Sequence, residues 1–105
     1  MSFEKKFLEA IDEAFYSIGN SCDRVIYDYL EKNFMLSKLD IPNRIEDFSE
    51  GLNRIFGFSA KILELRIMNN LYLKMGNSFE YNNEKTLDFV KYIQSIKNSY
   101  VTCLI

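Results

Sequence analysis

The residue types that most often perform chemistry are thinly supplied in this chain. It has no histidine, which removes the usual general base near neutral pH and the commonest zinc ligand. Its two cysteines, Cys22 and Cys103, lie far apart and form no CxxC pair. Cys103 sits in VTCLI, where no cationic neighbour is at hand to activate a thiol. No HExxH or calcium-loop pattern is present. Acids are plentiful, but Glu4, Glu9, Asp12, Glu13, Asp28 and Glu31 fall where solvated helix faces are expected. That placement serves solubility and pairing with Lys or Arg one turn away, not paired acid–base catalysis. Of the four glycines, Gly19, Gly57 and Gly76 fall at expected helix ends, so no phosphate-cradling loop is formed. Gly51 lies inside a helix, where glycine costs about 1 kcal/mol relative to alanine; close packing of another helix is the expected reason, with a partner approaching the backbone as the alternative. The residues therefore predict no catalytic, cofactor-binding or metal site, and a protein that is not an enzyme.

Charge and length narrow the partners. The net charge is −2 and no basic run exceeds Lys5-Lys6, which argues against nucleic acid, because phosphate binding needs a basic stripe. No apolar run reaches the ~18 residues that span a bilayer, and MSFEKKFLEAIDEAF carries acids where a signal peptide needs an apolar core. With two separated cysteines read as reduced thiols, the expected location is the cytoplasm. Hydrophobic residues at 48% and charged residues at 27% give a globular composition. The 105 residues suit one domain with one core.

The elements that must position any functional residue read as helices. Phe3, Phe7, Ile11, Ala14, Phe15 and Ile18 recur at steps of three and four, giving one apolar stripe. Gly19 is expected as a left-handed cap, with Asn20 or Ser21 capping a second helix whose stripe is Cys22, Val25, Ile26, Tyr29, Leu30 and Phe34. Met35 to Pro42 reads as a connection that tucks Leu36, Leu39 and Ile41 onto the core, since Ile41-Pro42 cannot continue a helix. Asn43 and Glu46 have capping-box spacing ahead of a third helix with Ile45, Phe48, Leu52, Ile55 and Phe56 on one side, ended by Gly57. Ser59 is placed to cap a fourth helix, Ala60 to Met75, which is apolar on more than one face. Such a helix is either central to the fold or buried in a dimer. After a polar stretch interrupted by Phe79 and Tyr81, Asn83 can cap a fifth helix with Leu87, Val90, Ile93 and Ile96 as its seam. The prediction is all-α: a compact bundle of about five helices in a single domain.

The third helix, the GFS turn and the fourth helix have the outline of a helix-turn-helix. A recognition helix presents polar residues to the groove, whereas this one opens Ala60-Lys61-Ile62-Leu63 and stays apolar. An ordinary helical hairpin fits better. A small DNA-binding regulator using these two helices stays as the alternative, and a ligand sensor with an internal polar pocket as a third reading.

Ile11 to Gly76 resembles the Nitrosopumilus-type output domain, a small family of archaeal signal-transduction proteins. The likeness is carried by IDEAFYSIGNS (Ile11–Ser21), VIYDYLEKNF (Val25–Phe34), DIPNRIEDFSEGLNRIFGFSAKILE (Asp40–Glu64) and NNLYLKMG (Asn69–Gly76). The middle segment is the most specific, and the fifth helix, 84–105, lies outside the match. The resemblance implies an accessory or output role and carries over no catalytic residues. The chain departs from the family's fused arrangement: no receiver-like strand–helix alternation is present, so a controller would be met in trans, or the chain would act as a constitutive adaptor.

Together these features predict a protein-interaction module in archaeal signalling, homodimeric and with a second, unidentified signalling protein as partner. The motive is the apolar and aromatic surplus of the last two helices. Arg66, Tyr72, Phe89, Tyr92 and Tyr100 are the candidate partner-binding residues.

Overall fold

The computed structural model describes residues 3–19, 22–74 and 88–104, with side chains described up to Asn98. Five helices succeed one another, with no strand among the described residues: α1 (Phe3–Tyr16), α2 (Cys22–Phe34), α3 (Ile45–Phe56), α4 (Ala60–Lys74) and α5 (Phe89–Leu104). The architecture is all-α, as the apolar spacing predicts. The radius of gyration, 13.3 Å, matches the ~13 Å of one folded body of about 100 residues.

Most of each stripe faces a common core, but Val25 of α2 and Ile18 beyond α1 are exposed, because they fall at the edges of the buried faces. Phe3, Phe7, Ile11 and Phe15 of α1, Ile26 and Leu30 of α2, Phe48 and Leu52 of α3, Ile67 and Leu71 of α4, and Phe89, Ile93 and Ile96 of α5 are all buried. Alanines at Ala10 and Ala14 are buried on the same face of α1 and let α4 lie close along it. Polar contacts stitch that pair at its edges. Asn70 donates to the Ala10 carbonyl at 3.2 Å, Lys6 donates to the Lys74 carbonyl at 3.1 Å, and Lys74 reaches Glu13 at 2.6 Å. The Lys6 bond satisfies one carbonyl left open at the end of α4.

Gly51 and Gly57 are used as the sequence implies. A Cβ on Gly51 would stand 2.2 Å from Leu30 Cδ2 and 3.5 Å from Phe34 Cε2, so only glycine lets α2 lie this close to α3. Gly57 ends α3 with φ +59°, and its amide donates to the Asn53 carbonyl.

The other helix ends depart from expectation, each for a local reason. Gly19 does not adopt a left-handed conformation. The end of α1 is instead closed by the Ser17 amide on Glu13, the Ile18 amide on Phe15, and the Ser17 hydroxyl on the Ala14 carbonyl at 2.6 Å. The left-handed residue falls at Met35 (φ 52°), beyond α2, where Arg44 donates to the carbonyls of Phe34 (2.9 Å) and Met35 (2.8 Å) while its Nε binds Asp47. A tight turn, Lys38–Asn43, buries Ile41 and Pro42 and turns Leu39 outward, so Leu36 and Ile41 join the core and Leu39 does not. The Asn43–Glu46 capping box is not formed. Arg44 stands at the N-cap of α3 with no side-chain cap bond, and Asn43 Oδ1 accepts from Lys97 of α5 instead. Ser59 does not cap α4 either, because the single turn Gly57–Ser59 runs straight into it. Asn20, Ser21, Met75, Gly76, Phe79, Tyr81, Asn83 and Leu87 lie outside the described residues.

Candidate interaction surface

α4 buries one face and leaves a mixed face open, on which three apolar side chains stand beside Arg66 and Asn69. Leu63, Ile67, Met68 and Leu71 point into the core. Ile62, Leu65 and Leu73, at steps of three and eight along the same helix, are 61%, 38% and 62% exposed. The turn ahead of α4 leaves Phe58 99% exposed. Exposed apolar residues scattered singly are ordinary on protein surfaces; a row along one helix face is the pattern of a contact surface.

At the head of α4 this face opens into a groove of about 260 Å³ lined by Ser17, Ile18, Phe56, Ser59, Ile62, Leu63 and Arg66. Three chain segments build it: the turn after α1, the end of α3, and the first two turns of α4. Arg66 is exposed and donates from Nη1 to the Ser17 hydroxyl at 3.2 Å. A second hollow, about 220 Å³, lies between Pro42, Asn43 and Ile45 on one side and Gln94, Lys97 and Asn98 of α5 on the other. Lys97 already spends two donors there, on the Pro42 carbonyl and on Asn43.

Four of the five candidate partner-binding residues have described side chains, and those four do not share one site. Arg66 lines the groove, and Tyr72 is half-buried on α4. Phe89 is 3% exposed, its ring 6.1 Å from that of Phe48, so it serves the core. Tyr92 is half-buried and packs on the core beside it. Tyr100 belongs to α5, but its side chain lies outside the described residues, as does that of Cys103.

Two polar clusters have no signature in the sequence. Glu64 is only 4% exposed, yet its carboxylate has no cationic partner among the described residues and accepts the Ser49 hydroxyl at 2.7 Å. Nothing in an apolar helix distinguishes this acid from its solvated counterparts, because its donor comes from another helix. Ser49→Ala is expected to destabilise the fold by about 1–3 kcal/mol, since it strips a buried carboxylate of its donor. Glu64→Met in the same background should recover most of that loss. Thermal melting of the three proteins checks this, and an unchanged melt for Ser49→Ala contradicts it.

The second cluster joins α1, α2 and the following turn. Tyr27 donates to Asp12 Oδ1 at 2.6 Å, Lys38 donates to Asp12 Oδ2 at 2.8 Å, and the Lys38 ammonium lies 5.1 Å from the centre of the Tyr27 ring. Burial first, then the bond to Asp12 and the Asp12 charge, push the Tyr27 phenol well above its ordinary range. Every polar group is matched within the trio and none of the three lines either hollow, so the cluster ties helices together. Tyr27 keeps its proton in the folded chain and loses it in the unfolded chain above about pH 10. Its contribution to stability is therefore complete below that pH and falls away as pH rises beyond it. Denaturant titrations from pH 8 to 11 should show a steeper decline for the native sequence than for Tyr27→Phe; parallel curves contradict the assignment.

No group of three metal-binding side chains occurs among the described residues, and no helix there is long and apolar enough to cross a membrane. No family model and no curated protein matches the chain. Its fold is similar to the crystal structure of PH0832 from Pyrococcus horikoshii OT3, with a TM-score of 0.77 at 19% identity, over 93% of this chain and 96% of that one. At that identity the likeness is one of fold.

Proposed function

We propose that this chain is a non-enzymatic interaction module of an archaeal signalling system, which pairs with a second copy of itself through the open face of α4 and relays to a further protein. The observation that carries this reading is the row Ile62, Leu65 and Leu73, apolar and exposed on a helix whose opposite face already fills the core. Exposing these side chains costs hydrophobic free energy that a partner would recover. The resemblance of Ile11–Gly76 to output domains supports the signalling context. The helix-turn-helix alternative draws no support from this face, because apolar Ile62 and Leu65 stand where polar base-reading side chains would be needed.

Sedimentation equilibrium at micromolar concentration tests the pairing. The expected mass is twice that of the chain, and a monomer throughout would falsify it. Leu65→Glu combined with Leu73→Glu should weaken the dimer on the order of a hundredfold, the scale expected when charges replace two central apolar anchors, with the helical circular-dichroism spectrum unchanged.

A further inference from the structure

The groove at the head of α4 joins an apolar lining to one cation. Its walls are Ile18, Phe56, Ile62 and Leu63; its polar atoms come from the hydroxyls of Ser17 and Ser59 and the guanidinium of Arg66. No carboxylate lines it among the described residues, although the chain as a whole is acidic. Five cations are matched with acids, Lys32 with Asp28, Lys38 with Asp12, Arg44 with Asp47, Arg54 with Glu50, and Lys74 with Glu9 and Glu13, while Lys6 and Lys97 donate to backbone carbonyls. Arg66 has no acidic partner among the described residues. It gives one N–H to Ser17 and keeps the rest of a five-donor fork for something else. Lys61, exposed on α4 between Ala60 and Ile62, has no ion pair among the described residues. An apolar trough edged by one guanidinium selects apolar side chains accompanied by a carboxylate.

We propose that this groove seats an acidic amphipathic helix of the partner protein. Its aliphatic or aromatic side chains enter between Ile18, Phe56 and Ile62, and a Glu or Asp one turn away meets the Arg66 fork, with Lys61 adding to the attraction. A second copy's α4 is a poor occupant, since it would bring Lys61 and Arg66 against Lys61 and Arg66. The inference rests on the interaction-module reading and names its partner by chemistry. Self-association shares Ile62 with the groove but also uses Leu65 and Leu73, which do not line it, so substitutions at Leu65 and Leu73 test the pairing apart from the groove.

The experiment is a selection from a displayed library of randomised helical peptides against the full chain. The expected result is enrichment of sequences with Glu or Asp one turn from Leu, Ile or Phe. Binding of a selected peptide should weaken about tenfold or more in Arg66→Glu and in Ile18→Asp, while melting curves show both variants folded. Selection against Lys61→Glu/Arg66→Glu should return basic peptides in place of acidic ones. Peptides without acidic enrichment, or acidic peptides indifferent to all these variants, overturn the proposal, as does a duplex DNA oligonucleotide retained through Lys61 and Arg66 while no peptide is selected. If Ile18→Asp turns a wild-type dimer into a monomer, a second copy occupies the groove and the proposal falls. A wild-type monomer that still selects groove-dependent acidic peptides leaves the proposal standing and removes only the self-association.

Discussion

Phe48→Ala is expected to cost about 3–5 kcal/mol, the range for truncating a buried aromatic, a large share of a stability that in natural domains totals about 5–15 kcal/mol. Phe48 is fully buried in α3 and joins three ring contacts. Its centroid lies 6.4 Å from Phe7 at 82°, 6.4 Å from Phe15 at 41°, and 6.1 Å from Phe89 at 44°. Two of those rings belong to α1 and one to α5, so the side chain holds both helices to α3. Tilted and edge-on arrangements at these distances add to the area buried. The chain cannot collapse into the space without moving α5, which depends on Phe89, Ile93 and Ile96 for its buried face. Urea denaturation followed at 222 nm measures the loss. A change under about 1 kcal/mol, within the reach of ordinary surface substitutions, would show that the rings are not the keystone of the core.

Gly51→Val carries the second large effect, a loss of about 3 kcal/mol, at the upper end of the usual cost of overpacking. The new Cβ alone would overlap Leu30 Cδ2, and Leu30 has no room to retreat because it is itself fully buried. Gly51→Ala should be milder, near 1 kcal/mol, because the better helix propensity of alanine offsets part of the clash. Relief at Leu30 is the diagnostic. Combining Gly51→Val with Leu30→Ala should cost clearly less than the sum of the two single losses, since one removes the atom that the other strikes. Additive losses would mean that α2 and α3 do not meet at this point.

Much of this architecture is legible in the sequence because helix formation and burial share one periodicity. Phe7, Ile11 and Phe15, or Phe48 and Leu52, declare their face by spacing alone, and Gly51 declares a close neighbour by being a poor helix former in a helix. Helix ends are less legible. Asn43 has the chemistry of a cap, but Lys97, far along the chain, claims its side-chain oxygen. Met35 adopts a left-handed backbone that its residue type does not advertise, held by Arg44 from across a turn. The surface is half legible. The apolar excess of α4 is plain and Arg66 stands out, but Ile18 and Phe56 read as members of stripes rather than as walls of a groove. A groove made by three segments has no signature in any one of them. Phe89 reads as a surface ring because a fifth helix taken in isolation gives no sign of Phe48.

If one face of α4 meets another molecule while the other stays in the core, the methyl groups of the two faces must respond differently to association. Methyl-resolved NMR of the isotope-labelled chain, recorded as it is diluted from millimolar to micromolar concentration, separates them directly. The methyl signals of Ile62, Leu65 and Leu73 should move with concentration, and those of Leu63, Ile67 and Leu71 should hold still. Signals from both faces that stay fixed over the whole range, at the sedimentation mass of one chain, would contradict the pairing.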